Sequence, residues 1–294
     1  MAYDALFKLV TRKAFAGATV HLNEPVGTLP LQIDAVLTFA DDPLDLPEPP
    51  PPAFAGRLAR TNVLEFKGKR DPSRPADLNK LLGYLRLYAS NAKEDLGFVR
   101  DQCAAFLVCA SRPRFLDDHL ARGLLSPAGS AGLYSFQMEP QVAHALVLEE
   151  VDAVPGNLLL LLLSTGEALR SAVRVAATAA AGDPELTGIV IRSIILNYSE
   201  VKDLTETQKL LREAEDHDLR EAVDAVGLER VVDAVGLERV VDAVGLERVV
   251  DVVGLERVVD VVGLEDLVEV LESKGKLDEL LELLEEKRRR GRGS

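Results

Sequence analysis

Leu31-Gln-Ile-Asp34-Ala-Val-Leu-Thr-Phe39 and Asn62-Val-Leu-Glu65-Phe-Lys67 are the two stretches on which the fold turns. The first alternates, so that Leu31, Ile33, Ala35 and Leu37 face one way and Gln32, Asp34 and Val36 the other. The second sets Val63, Glu65 and Lys67 on a common face, with same-face neighbours roughly 6.6 Å apart. Two acids and an amine are therefore built into apolar strands. Charged side chains are seldom buried without a partner, so the trio calls for a compensating charge. A hard divalent cation meets that need. Asp34, Glu65, the Phe66 main-chain carbonyl and waters form the kind of oxygen set that Mg²⁺ or Mn²⁺ takes. Lys67 is then placed to orient or deprotonate a water, or to offset negative charge as it develops on a phosphate.

The order strand with Asp34, strand with Glu65-Phe66-Lys67, then helix resembles the PD-(D/E)XK nuclease superfamily, with Ile33-Asp34 standing for its leading Pro-Asp. Within it, Tyr3-Asp4-Ala-Leu-Phe7-Lys8, Leu64-Glu65-Phe66-Lys67 and Asp77-Leu-Asn-Lys80-Leu-Leu-Gly-Tyr84-Leu-Arg86-Leu-Tyr88 resemble the recombination-promoting nuclease (Rpn-like, transposase-like) branch. The resemblance covers about the first two hundred residues, and it rests on the order of short motifs rather than on any one of them. It implies a restriction-endonuclease-like mixed sheet flanked by helices, Mg²⁺-dependent hydrolysis of DNA, and a link to mobile elements or recombination. It also brings Asp4, Lys80 and Tyr84 forward as additional site residues. Read from the residues alone, Asp4 equally serves a helix start and Lys80 with Tyr84 an amphipathic rim.

With 294 residues and 47% apolar content the chain is globular, and its net charge of −14 is unevenly spread. Residues 201–294 carry 15 basic against 25 acidic side chains, whereas residues 1–200 carry 19 against 23. An acidic tail repels nucleic acid, so any phosphate-contacting surface is local. Lys67, Lys69, Arg70, Arg74, Lys80 and Arg86 are the cluster to consider, against the plainer reading of solvated charges after a strand. Cys103 and Cys109 lie in an apolar run and read as small buried hydrophobes of a reduced compartment. The four histidines are scattered, and no Cys/His spacing suggests zinc. The N-terminus lacks a charged segment followed by an apolar core, and Leu158 to Leu163 is too short to span a bilayer. A cytoplasmic protein with no membrane partner is expected.

Along the chain, residues 3–15 predict a helix, Ala18 to Leu22 a strand, and Asn23 to Thr28 a turn. The proline run at Pro47 and Pro49 to Pro52 predicts a surface loop between the two key strands, a hairpin extension or else a ligand for a partner domain. Leu78 to Ser90 predicts a helix, Ala104 to Ala110 a buried central strand, and Leu133 to Met138 with Val142 to Val151 the rest of the sheet. Past Pro155-Gly156 the chain turns helical: Ser164-Thr-Gly-Glu167 reads as a capping box, and Asp183-Pro184 opens a helix ending near Tyr198.

From Val226 a nine-residue unit, Val-Gly-Leu-Glu-Arg-Val-Val-Asp-Ala or a near copy, recurs with glycines at Gly227, Gly236, Gly245, Gly254 and Gly263. In one continuous helix nine residues advance by roughly 900°, which would ring the rod with apolar side chains. Within a unit Leu228, Val231, Val232 and Val235 instead form one face of a two-turn helix, ended by a left-handed glycine cap. Short stacked helices follow, suited to a spacer or to self-association, with a last helix from Lys276 to Lys287 and a basic end from Arg288 to Arg292. The expected organisation is α/β: a nuclease-like domain over 1–153, a helical region over 154–222 and the repeat tail over 223–294. Asp34, Glu65 and Lys67 are its expected catalytic residues, with DNA as partner and homo-oligomers formed through the tail. The competing reading is a catalytically silent binding or assembly module.

Overall fold

A computed structural model describes residues 2–26, 31–43, 46, 49–54, 56–69, 71, 73–91, 98, 99, 102–138, 141–180 and 182–245, with isolated positions beyond. The first helix, α1 (Ala2–Ala14), leads into strand β1 (Thr19–Val26) and then β2 (Leu31–Thr38). A short 3₁₀ turn at Pro52–Phe54 precedes β3 (Thr61–Lys67), α2 (Pro75–Asn91) and β4 (Cys103–Cys109). Helix α3 (Leu116–Ala121) and strands β5 (Ser126–Pro127), β6 (Leu133–Met138) and β7 (Gln141–Val147) complete a seven-stranded sheet of order β1-β2-β3-β4-β7-β6-β5. Its centre, β3-β4-β7, is parallel, and both flanks are antiparallel. The architecture is α/β with a mixed sheet.

The two key strands pair antiparallel, Ala35 with Leu64 and Val36 with Val63, and Phe39 N–H donates to Arg60 C=O at 2.9 Å to close their connection. The proline segment does not draw them apart. Its end folds back onto the sheet, where the Phe54 ring meets Phe106 edge-on at 5.0 Å and Ala53 N–H donates to Asn157 Oδ1 at 2.8 Å. Pro47 lies outside the described residues.

Side chains alternate between two cores. On one face Leu64 and Phe66 of β3, with Phe106 and Val108 of β4, pack under α1 and the helices that follow Pro155. On the other, Val63, Ala105, Leu107 and Cys109 pack under α2, whose Leu78, Leu81, Leu82 and Leu85 form its buried stripe. The later helices are α4 (Leu158–Leu161), α5 (Gly166–Ala179), α6 (Pro184–Leu196), α7 (Tyr198–Val201), α8 (Thr205–Glu213) and α9 (Asp216–Val226). Their apolar side chains continue the core of the first face, so the sheet and the helical region are packed as one body. Asp183 caps α6 as expected, accepting from Leu186 N–H at 3.0 Å. Ser164 is no cap: its hydroxyl donates back to the Leu161 carbonyl, and α5 starts at Gly166 with Thr165 in the N-cap position and no side-chain cap bond. The last sheet strand stops at Val147, where Leu148–Glu150 tightens into a 3₁₀ turn.

Two repeat units are described, α10 (Leu228–Val235) and α11 (Leu237–Val244). Leu228 and Val231 of α10 and Val240 and Val241 of α11 are buried in the same core. Each unit is broken at glycine, but not by the left-handed helical cap expected. Gly227, Gly236 and Gly245 sit at φ +94°, +86° and +87° with ψ near 150°, an extended mirror-image conformation that only glycine adopts at little cost. Arg239 reaches from α11 to the Leu211 and Ala214 carbonyls at the end of α8. Gly254, Gly263 and the Arg288 to Arg292 end lie outside the described residues, as does most of the expected last helix.

Candidate functional site

Glu65 anchors the site. It belongs to a strand whose residues from Thr61 to Phe66 are all buried, and it is itself 4% exposed. Oε1 accepts from Lys80 Nζ at 3.0 Å and lies 3.5 Å from Lys67 Nζ. Oε2 is equally buried and has no hydrogen-bond partner. A buried carboxylate oxygen left unsatisfied costs free energy, on the order of 1–3 kcal/mol or more for a charged group, so an orphan of this kind marks a place where a ligand would be stabilising.

Asp34 lies where the sheet opens. Registers on both sides of β2 skip it: its counterpart on β1 would be Asn23, which sits at φ +55°, and on β3 the last pair is Ala35 with Leu64. Freed from the ladder, Asp34 Oδ2 accepts instead from Phe66 N–H at 2.8 Å. The strand changes phase at this point. Ile33 and Val36 lie on the α2 face while Ala35 and Leu37 lie on the other, where simple alternation places Ile33 with Ala35. Burial, then the nearby Glu65 charge, push the Asp34 carboxyl up to about 6, against the Phe66 hydrogen bond. The two acids thus feel each other. Phe66 enters the site through its N–H, and its ring stacks on Phe7 on the far face.

Lys67, at the end of β3, is ringed by carboxylates: Asp71 Oδ2 at 3.2 Å, Glu65 at 3.5 Å and Asp77 Oδ1 at 3.6 Å. Burial works against its charge, but Glu65, Asp71 and Asp77 outweigh it and hold the ammonium above its usual pKa. Lys67 is therefore a fixed cation rather than a base. Neither Asp71 nor Asp77 stands out as a site residue in the sequence; Asp77 also caps α2, since its Oδ2 accepts from Arg74 N–H at 2.7 Å.

Of the additional residues, Lys80 extends from α2 to Glu65 and lies 4.9 Å over the ring of the buried Tyr84. Burial opposes the Lys80 charge, and Tyr84 and Glu65 more than restore it. Asp4 pairs with Lys8 at 2.5 Å, and its charge also contributes to the raised Asp34 pKa, so α1 does bring an acid toward the two strands. Lys69 is drawn away to Glu200. Arg74 and Arg86 are exposed, and Arg70 lies outside the described residues.

Among the described residues no three His, Cys, Asp or Glu side chains form a ready-made metal cluster. What exists is smaller: two mutually repelling carboxylates, one with an orphaned buried oxygen, on strands that part beside them. That donor set fits a hard cation that keeps several waters. Among the described residues no helix is long and apolar enough to cross a membrane. Comparison with known proteins brings no relative to bear on this site: no family model matches the chain, and no curated protein and no solved structure matches it either.

Proposed function

We propose that this protein is a metal-dependent nuclease that hydrolyses phosphodiester bonds in DNA at Asp34, Glu65 and Lys67. The observation that carries the reading is the buried Glu65 Oε2, unsatisfied beside a second carboxylate that is already pushed up toward neutrality. Both features are costs to the fold, and one divalent cation would remove both. Asp34, Glu65 and the Phe66 main chain would hold Mg²⁺ or Mn²⁺, which supplies charge neutralisation at the phosphate and a lower pKa for water.

In the hydrolysis, water adds to phosphorus and the bond to one sugar oxygen breaks. Lys67, kept protonated by its three acids, faces the negative charge that grows on the phosphate oxygens. Lys80 acts through Glu65: its hydrogen bond fixes one oxygen and leaves the other to the cation. Asp34, held by Phe66 N–H, must lose its proton before it can ligate, so cation binding strengthens as pH rises through about 6.

The test is nicking of supercoiled plasmid in Mg²⁺ or Mn²⁺. Asp34→Ala and Lys67→Ala should each lose at least about 100-fold in rate, an effect of the size expected for removing one electrostatic stabiliser. Absence of nicking by the wild type across metals and salt concentrations would overturn the hydrolase and leave the assembly-module reading. For the tail, the apolar faces of α10 and α11 are already used inside the chain. Self-association, if it occurs, therefore belongs to residues past Gly245, and truncation there should lower the mass seen by light scattering. Truncation as early as Tyr198 would instead strip Leu210, Leu211, Leu219 and Val223 from the core.

A further inference from the structure

Beyond the carboxyl ends of the parallel strands β3 and β4 lies a cleft of about 450 Å³, bounded by the turn after Lys67 and the turn after Cys109. Such strand ends are where open α/β sheets place their ligands, and the volume suits one small molecule. Lys67, Ser73, Arg74, Ser111, Arg112 and Arg114 supply its polar lining. Among the described residues that line it there is no carboxylate, in a chain with 48 acids and 34 bases.

The four cations are not equivalent. Arg112 is spent on the wall itself, paired with Asp117 and Glu150 and bonded to Tyr134, while its N–H donates to Glu149 Oε1 at 2.6 Å. Lys67 is held by Glu65, Asp71 and Asp77. The Arg74 and Arg114 guanidiniums, by contrast, pair with no acid among the described residues, and the buried Ser73 Oγ has the Cys109 thiol as its neighbour. Two arginines without an acidic partner and two serines therefore line one small cleft. Cys109 at its edge is 1% exposed, its thiol pushed up by burial to about 12, so the cleft holds a ligand without a nucleophile to attack it.

We infer that this cleft is a binding subsite for a phosphate monoester, the terminal phosphate of a nucleic-acid strand. A monoester carries about −1.5 to −2 charge at pH 7, which two guanidiniums match, whereas an internal diester carries a single charge. Lys67 lines the cleft and also lies 3.5 Å from Glu65, so a strand end seated here leads its next phosphodiester to the two carboxylates. The choice of a nucleic-acid end as the source of the phosphate rests on the nuclease reading; the phosphate subsite itself does not.

Direct binding decides it. Isothermal calorimetry or an NMR titration with 5′- and 3′-deoxynucleoside monophosphates, the unphosphorylated deoxynucleoside and sulfate should show binding of at least one monophosphate and none of the nucleoside. Arg114→Ala and Arg74→Ala should each weaken that binding at least tenfold, and Arg122→Ala, an exposed arginine of the neighbouring turn paired with Asp118, should leave it unchanged. The 5′ and 3′ arms tell which end of a strand the cleft takes. Monophosphates binding no better than sulfate, or affinity within twofold of wild type in Arg114→Ala, would overturn the subsite. Supercoiled plasmid and end-phosphorylated linear DNA both left intact while Arg114-dependent binding persists would sink the hydrolase and keep the subsite; either DNA cleaved while monophosphates fail to bind would do the reverse.

Discussion

The sheet buries His144 on one face and Glu65 on the other, and the two polar side chains are treated in opposite ways. On the face under α1 and the later helices, His144 is 3% exposed, stacks on Phe106 and shares a 2.9 Å hydrogen bond with Ser135. Burial, then Arg57, lower its pKa to about 4, so it sits neutral with its bonding needs met inside the protein. On the α2 face Glu65 is 4% exposed, meets Lys80 and Lys67 through one oxygen, and is left with the other bare. Equal burial thus means different things. The satisfied imidazole is part of the core, whereas the unsatisfied carboxylate is stability given up where a ligand can restore it.

The sharpest way to break this contrast is to cut neighbouring residues of β3. Phe66 is stacked on Phe7 at 4.8 Å on the apolar face, and Phe66→Ala should cost about 3–4 kcal/mol in urea unfolding. Glu65→Gln, one residue earlier, should keep stability within about 1 kcal/mol of wild type while abolishing cleavage, because it removes a buried charge and retains the shape. A Glu65→Gln loss as large as that of Phe66→Ala would show that the carboxylate is structural after all.

Next in size is the support from α2. Lys80→Met leaves Glu65 with Lys67 as its remaining cation; since Lys80 is 42% exposed, the loss should be about 1–2 kcal/mol rather than the full cost of orphaning a buried charge. Adding Glu65→Gln to Lys80→Met should recover most of it, a coupling that a double-mutant cycle reads directly.

The smallest effect, and the most specific, is in pH. Asp34 is raised to about 6 from an ordinary value near 4, so the native state holds its proton more tightly than the unfolded chain. Its contribution is intact below pH 4 and is lost as pH rises through 6. His144, lowered to about 4 from 6.5, does the opposite: its contribution is present above 6.5 and is lost as pH falls toward 4. Asp34→Asn should therefore match wild type near pH 4 and exceed it by about 1–2 kcal/mol at pH 7, whereas His144→Gln should remove the opposite slope. Urea midpoints at pH 4.5, 5.5 and 7 check both. Parallel pH profiles for wild type and Asp34→Asn would contradict the picture of Asp34 as a strained acid.

What could be read from the sequence follows from how local the cause is. Alternation in Leu31 to Phe39, the unbroken apolar run after Cys103 and the four-leucine stripe of α2 gave the strands and helix that carry Asp34, Glu65 and Lys80. Asp183-Pro184 worked as a cap because that bond closes within three residues. The skip at Asp34 depends on two neighbouring strands at once, and the reach of Lys80 to Glu65 on how α2 lies across β3, so neither is written in a single segment. Arg74 and Arg114 are forty positions apart and converge only because β3 and β4 run parallel and end together. The Ser164 motif failed for a similar reason, since its hydroxyl found the Leu161 carbonyl first.

The glycine joints of the tail have a consequence for how such a chain can change in length. Gly227, Gly236 and Gly245 adopt nearly the same backbone angles; Gly227 and Gly236 each close one helix and open the next with no residue between, and Gly245 closes α11. Each described unit thus enters and leaves in the same conformational state. Inserting or deleting nine residues therefore needs no new connecting segment and leaves the handedness of the remaining joints untouched, which makes the number of copies a quantity that can drift without threatening the sheet.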